Sequence, residues 1–253
     1  MSADLSVSKV NHPFPQPENP TDLVWRYMSL SKLISIFEAH KIFLCRTDLF
    51  EDKYEGTLPR IDKELWKNSD FKPQYIFIFL KSLRESTYVS CWHINNNESE
   101  AMWKVYCGSG EGVAIQTTYQ KLRDSITEKN MHIGLISYIN YENEKFPNLQ
   151  GSYYPVNLMH PFMHKRKAFE HEKEIRIIKP CWELIYDSLD APNAKIERPP
   201  VMSFEVKLEN LIESIFVHPL APDWYFEIVK ATTNRYFPNL RIQWSGMVGN
   251  PEY

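Results

Sequence analysis

The sequence predicts a single α+β domain: a mixed sheet with helices interleaved among its strands. Three observations predict it. Short runs rich in β-branched and aromatic residues alternate along the chain with runs whose apolar residues recur at i, i+3, i+4 and i+7. Hydrophobic residues make up 43% of 253 and aromatics 14%, enough for a sizeable core. No repeat and no convincing linker divides the chain. One domain is therefore expected over residues 23–245, after a flexible arm of residues 1–22 and before a tail of residues 246–253.

The arm, from Asn11 to Asp22, holds four prolines and little apolar content. Leu23 to Met28 reads as a strand, and Ser29 as the cap of a helix carrying Leu30, Leu33, Ile34 and Phe37. Lys41 to Cys45 reads as a strand, Leu49 to Gly56 as an acidic loop and Glu64 to Phe71 as a helix. Tyr75 to Leu83 is apolar and fits helix or strand. Tyr88 to His93 is strand-like. Asn97 and Glu100 have capping-box spacing before a helix with Met102, Trp103 and Tyr106, which stops near Gly108. Gly112 to Gln116 is a buried strand, and Thr117 with Gln120 signals a cap for a helix over Tyr119–Ile126. Ile133 to Tyr141 reads as a strand, His160 to His171 as a helix and Glu174 to Lys179 as a strand. A loop with Pro192, Pro199 and Pro200 follows. Met202, Phe204 and Val206 alternate with polar residues. Ile215 to His218 is a short strand, Pro222 opens a helix with Tyr225, Ile228, Val229 and Tyr236, and Leu240 to Trp244 closes the domain.

Composition narrows the function. Net charge is −3, so no basic nucleic-acid surface is written into the whole chain. Cys45, Cys91, Cys107 and Cys181 are widely separated and form no Cys-x-x-Cys pair. Met1-Ser2-Ala3-Asp4 lacks the segments of a signal peptide, and no apolar run approaches the roughly 20 residues that span a bilayer. A cytoplasmic protein without membrane partners is expected. His160 and His164 are spaced i, i+4, but Pro161 stands where His-Glu-x-x-His has glutamate, and no metal is assigned. Gly108 to Gly112 lacks the Lys-Ser/Thr of a P-loop and reads as a turn. Nothing local supports Cys91 as a papain-like nucleophile.

Five stretches together resemble the family catalogued as domain of unknown function 2971. They are Trp25-Arg26-Tyr27; Leu49-Phe50-Glu51-Asp52-Lys53-Tyr54-Glu55; Val89-Ser90-Cys91-Trp92-His93; Met102-Trp103 with Tyr106 and Gly112-Val113-Ala114-Ile115; and Lys165 to Arg176. Their order and spacing carry the resemblance. Glu51, Lys53 and His93 depart from it, standing where that family has Asn, Pro and a small hydroxyl residue.

A more distant resemblance concerns chemistry. Arg26, then Ser90, then Glu172-x-Glu174 resembles the three-part signature of ADP-ribosyltransferases. That resemblance implies NAD as substrate and a macromolecular acceptor, protein or nucleic acid, as for a toxin or phage-defence effector. Cleaving NAD at the nicotinamide bond develops positive charge on the ribose, which a carboxylate opposes. Glu174 would take that role, and Glu172, two residues away on an extended strand, would orient or deprotonate the acceptor. Arg26 would hold a diphosphate oxygen beside Tyr27, Ser90 would shape the nicotinamide pocket, and Trp103 or Tyr106 would stack on a ring.

Each residue also has a plain structural reading. Glu172 and Glu174 would be a solvated strand edge, Arg26 an ion-paired surface residue, Ser90 a satisfied core hydroxyl, and Trp103 and Tyr106 core. Two other functions remain open on sequence alone. One is a non-catalytic sensor that binds a nucleotide or protein through Trp92, Trp103 and Tyr106. The other is a metal-dependent nuclease using Asp52, Glu55, Glu172 and Glu174.

Overall fold

The computed structural model describes residues 14–67, 73–108, 110–147, 158–190 and 196–247. In chain order the elements are β1 (Leu23–Met28), α1 (Leu30–Ala39), β2 (Lys41–Arg46), α2 (Arg60–Lys67), α3 (Pro73–Glu85), β3 (Thr87–Ile94), α4 (Glu100–Cys107), β4 (Val113–Thr118), α5 (Tyr119–Asp124), β5 (His132–Leu135), β6 (Ser137–Ile139), β7 (His164–Arg166), β8 (Glu174–Pro180), α6 (Trp182–Asp190), β9 (Val201–Glu205), α7 (Leu208–Leu211), β10 (Ser214–Val217), α8 (Asp223–Tyr236) and β11 (Arg241–Trp244). This is the mixed sheet with interleaved helices that the alternating patterns predict.

Among the described residues nine strands form one sheet, ordered β11-β10-β4-β1-β3-β2-β9, with β8 on β3 and β5 on β8. Its pairings are antiparallel except β10 with β11. One face carries the main core. There Leu33 and Phe37 of α1, Leu122 of α5, Leu208 of α7 and Val229 of α8 pack on Val24, Ile42, Trp92, Ile115, Ile175 and Ile215. Period-2 alternation sends the other half of each strand to the opposite face. That face is covered by two separate apolar clusters. One holds Leu83 of α3 and Ile185 of α6 with Val89 and Ile178, and the other holds Met102 and Trp103 of α4 with Trp25 and Tyr27.

The N-terminal arm is described from Phe14 onward and packs on the domain. Phe14 is 4% exposed, and the Gln16 side-chain amide donates to the Ile133 carbonyl at 2.8 Å.

Several local expectations are corrected. The cap of α4 is Ser99, whose Oγ accepts from the Met102 N–H, because the helix begins at Glu100 and Asn97 lies too far upstream. The cap of α5 is Thr118 and not Thr117. Strand alternation turns Thr117 inward, where its hydroxyl donates to the Leu211 carbonyl. The helix expected over His160–His171 is instead a 3₁₀ turn (His160–Phe162), then β7, then a second 3₁₀ segment (Lys167–Glu172). A parallel pairing of β6 with β7 overrides the helical spacing there. The strand expected over Ile133–Tyr141 breaks at Ile136, because β5 pairs with β8 whereas β6 leaves to pair with β7. Tyr75–Leu83 is helix. Of Glu64–Phe71, residues 68–71 lie outside the described residues, as does Pro192.

Candidate functional site

The site follows from how β3 shares one edge with two strands. β1 pairs with its C-terminal end, Val24 opposite Ile94 and Trp25 opposite His93. β2 pairs with its N-terminal end, Cys45 opposite Val89 and Arg46 opposite Tyr88. Between these contacts β1 and β2 diverge, and Ser90, Cys91 and Trp92 have no strand on that edge. The gap opens a cavity of about 440 Å³, within the usual range for small-molecule sites. Trp25, Tyr27, Phe43, Phe50, Trp92 and Tyr106 give it six aromatic linings, and Arg26, Lys32, His93, Glu172 and Glu174 give it charge and hydrogen-bonding capacity.

Arg26 bridges the gap. Its Nη2 donates to the Phe43 carbonyl of β2 at 3.1 Å, and its guanidinium lies 5.4 Å from the Trp92 ring centroid. Among the described residues no carboxylate pairs with it, and Nη1 is buried without a partner. Burial pushes its pKa down, although a guanidinium stays protonated in proteins. A half-buried cation with an unused donor is costly unless an anion completes it.

The opposite wall is an ion network. Glu174 opens β8 directly opposite His93. Its Oε1 accepts from Arg176 Nε at 2.6 Å, and its Oε2 from Arg176 Nη2 at 3.1 Å and Lys165 Nζ at 3.2 Å. Glu55 binds the same two cations, Arg176 Nη1 at 3.1 Å and Lys165 Nζ at 3.1 Å. Glu172 meets Lys165 still more closely. Three carboxylates thus surround two cations, for a net charge of −1. Burial opposes ionisation of Glu174, but Arg176 and Lys165 outweigh it and hold the carboxyl at about 2. Asp52 pairs with Arg166 at 2.9 Å beside the network. The acidic loop therefore supplies Phe50 to the cavity wall and Glu55 to the ions. It turns at Gly56, where φ is +71° and a Cβ would stand 2.7 Å from Phe162 Cε1.

Of the residues singled out in the sequence, Arg26, Tyr27, Tyr106, Glu172 and Glu174 line the cavity. Ser90 and Trp103 are placed outside it. Ser90 alternates onto the main-core face, 1% exposed, where its Oγ accepts from Trp92 Nε1 at 3.2 Å. Trp103 is also 1% exposed, donates to Glu98 Oε2 at 3.0 Å and packs edge-on against Tyr27. Glu172 is not on an extended strand with Glu174. It ends a 3₁₀ segment, and Lys173 at φ 38° turns the chain into β8. The two carboxylates meet because Lys165 draws them together, not because of strand alternation.

Sequence reasoning missed Lys32, His93, Lys165 and the burial of Arg176. The same-face spacing of Glu174 and Arg176 was a signal for their pairing. Lys165 and Arg176 occupy the space that a divalent metal would need between the three carboxylates, and no group of three or more His, Cys, Asp or Glu among the described residues would hold a metal. Burial first, then the nearby Glu174 carboxylate, raise the Cys91 thiol well above its ordinary value. Cys91 is therefore a neutral thiol and not a poised nucleophile.

Residues 102–177 match the model of a family described as Protein of unknown function (DUF2971). The match covers 76 of the chain's 253 residues and supports the resemblance over that stretch. It spans α4 to β8 and so includes Lys165, Glu172, Glu174 and Arg176, whereas Arg26 and the β1–β2 gap lie before it. Neither a curated protein nor a solved structure matches the chain. Among the described residues no helix is long and apolar enough to cross a membrane.

Proposed function

We propose that the chain is an NAD-consuming enzyme that transfers ADP-ribose to a macromolecular acceptor, protein or nucleic acid. The observation that carries this reading is one cavity lined by both an unpaired guanidinium and a fixed, ionised carboxylate, with aromatic faces between. Arg26 fits a diphosphate oxygen, with Lys32 as a second cation at the rim. Tyr27, Phe43 and Tyr106 offer faces to the base and nicotinamide rings.

Glu174 supports the bond-breaking step. When the glycosidic C–N bond breaks, its electron pair leaves with nicotinamide and positive charge develops on the ribose. A carboxylate already ionised and held by two cations needs no reorganisation to oppose that charge. Oε1 accepts from Arg176 Nε and the Cys91 thiol bonds the same carboxylate, so a ribose hydroxyl would take lone-pair capacity that these leave over.

The test is nicotinamide release from NAD by the purified chain beside Glu174→Gln, with thermal unfolding run in parallel to confirm that the variant folds. Release by wild type and its loss in the folded variant is the expected result. No release, together with no thermal stabilisation by NAD, overturns the reading and favours a binding module.

A further inference from the structure

We propose that His93 is the general base of this cleft, its Nε2 taking the proton of the oxygen nucleophile that attacks the ribose carbon; this rests on the NAD-consuming reading above.

The argument is geometric. His93 is 5% exposed and lines the cavity. Its Nδ1 lies 2.6 Å from the Glu172 carbonyl oxygen. A carbonyl only accepts, so Nδ1 carries the hydrogen, and the neutral ring leaves a lone pair on Nε2. That Nε2 is buried without a partner. Seven buried side-chain polar atoms among the described residues lack a partner, and of these only Arg26 Nη1 and His93 Nε2 belong to residues that line this cavity. One is a free donor and the other a free acceptor, so the pocket is incomplete at two chemically opposite points.

The position suits a base. His93 and Glu174 are register partners on β3 and β8, and such pairs have Cβ atoms about 5 Å apart on the same face. Both residues line the cavity, so His93 shares the wall on which Glu174 would face the ribose charge. The backbone carbonyl of Glu172 orients the imidazole, while the Glu172 carboxylate, which the sequence suggests would orient or deprotonate the acceptor, is held by Lys165.

The step balances. The C–N bond to nicotinamide breaks and its electron pair leaves on the nicotinamide nitrogen. The nucleophile's oxygen forms the new C–O bond, its proton passes to Nε2, and the imidazolium returns it to solvent. The groups facing the ring are the Tyr27 ring, the Cys91 thiol on the same strand face, the Glu172 carbonyl, and the cationic or titratable Lys173 and His171, while Glu174, its register partner on β8, turns its carboxylate to Arg176 and Lys165. Burial first, then Lys173 and His171, lower the imidazole below its ordinary value, against the Glu172 carbonyl. The base is therefore neutral at pH 7.

The experiment compares water with azide as nucleophile, in wild type and His93→Gln, by nicotinamide release and product identification. Water must lose a proton; azide has none to lose. The variant is expected to lose hydrolysis by about 10²–10⁴-fold and to keep the azide reaction at the wild-type order of magnitude. Both reactions retained, or both lost in a folded variant, overturns the assignment. If His93→Gln does not fold, the wild-type pH profile decides. Hydrolysis must rise with pH through a limb below about 6.5 that the azide reaction lacks, and a shared or absent limb overturns the proposal. If wild type releases no nicotinamide with either nucleophile, the NAD-consuming reading itself fails, and the proposal with it.

Discussion

Lys165→Met tests the ion network that fixes Glu174. Lys165 Nζ lies 3.1 Å from Glu55 and 3.2 Å from Glu174 and touches Glu172 as well. At an effective dielectric of 20 each of the first two contacts is worth about 5 kcal/mol gross. Desolvation of the ammonium offsets several kcal/mol of that, and removing one partner of a buried network costs about 3–5 kcal/mol net. The variant leaves three carboxylates around Arg176 alone, changing the cluster from −1 to −2. For a chain of this size that loss lowers Tm by about 6–20 °C. The assay is urea unfolding at pH 7.5 and 5.5. With Lys165 gone the carboxyl pKa values rise in the folded state, so protonation relieves the repulsion and the gap from wild type narrows at the lower pH. Lys165→Met with Glu172→Gln restores −1 and is expected to recover most of the loss. A loss under about 1 kcal/mol, the size of a surface pair, or no recovery in the double variant, would refute the network as the device that holds Glu174.

Acid stability follows from two groups. Glu174 is depressed from 4.5 to about 2, so its contribution is full above pH 4.5 and lost as pH falls through 2. That contribution is on the order of 3 kcal/mol, and Glu174→Gln should flatten this limb of an acid titration. Burial first, then His164, lower His160 from 6.5 to about 4, so its contribution is full above pH 6.5 and lost as pH falls through 4. His160→Leu should flatten that window by about 1–2 kcal/mol, allowing for solvent screening, in chemical denaturation at pH 7 and pH 4.5. Gly56→Ala meets both a positive φ and Phe162 and should cost about 1–3 kcal/mol by the same assay.

The architecture was legible because strands such as Leu23–Met28 are short apolar runs and helices such as Leu30–Ala39 carry a clean helical periodicity. It was illegible where tertiary pairing decides. His160–His171 has helical spacing, but β6 offers its middle a parallel partner. Thr117 and Thr118 are equivalent as caps until strand alternation buries the first. The site was half legible. Arg26 and Glu174 stood out by residue type and order, yet nothing local says that β1 and β2 part along β3 and that Arg26 crosses the gap. Ser90 was placed by motif, whereas it is buried on the main-core face beneath Trp92, and Cys91, Trp92 and His93 line the cavity in its place. Lys165 is nine residues from Glu174 in sequence, and only the turn at Lys173 brings it into contact with both acids.

The most direct measurement is a calorimetric titration of NAD into wild type and Arg26→Met, with the thermal stability of each ligand-free protein recorded. If Arg26 is there for a diphosphate, wild type binds NAD and the variant loses about 1.5–3 kcal/mol of affinity, the size of a charged hydrogen bond. The free variant should be as stable as wild type or more so, since it no longer holds an uncompensated cation. A wild type that binds no NAD, or a variant that binds it equally well, would contradict the account.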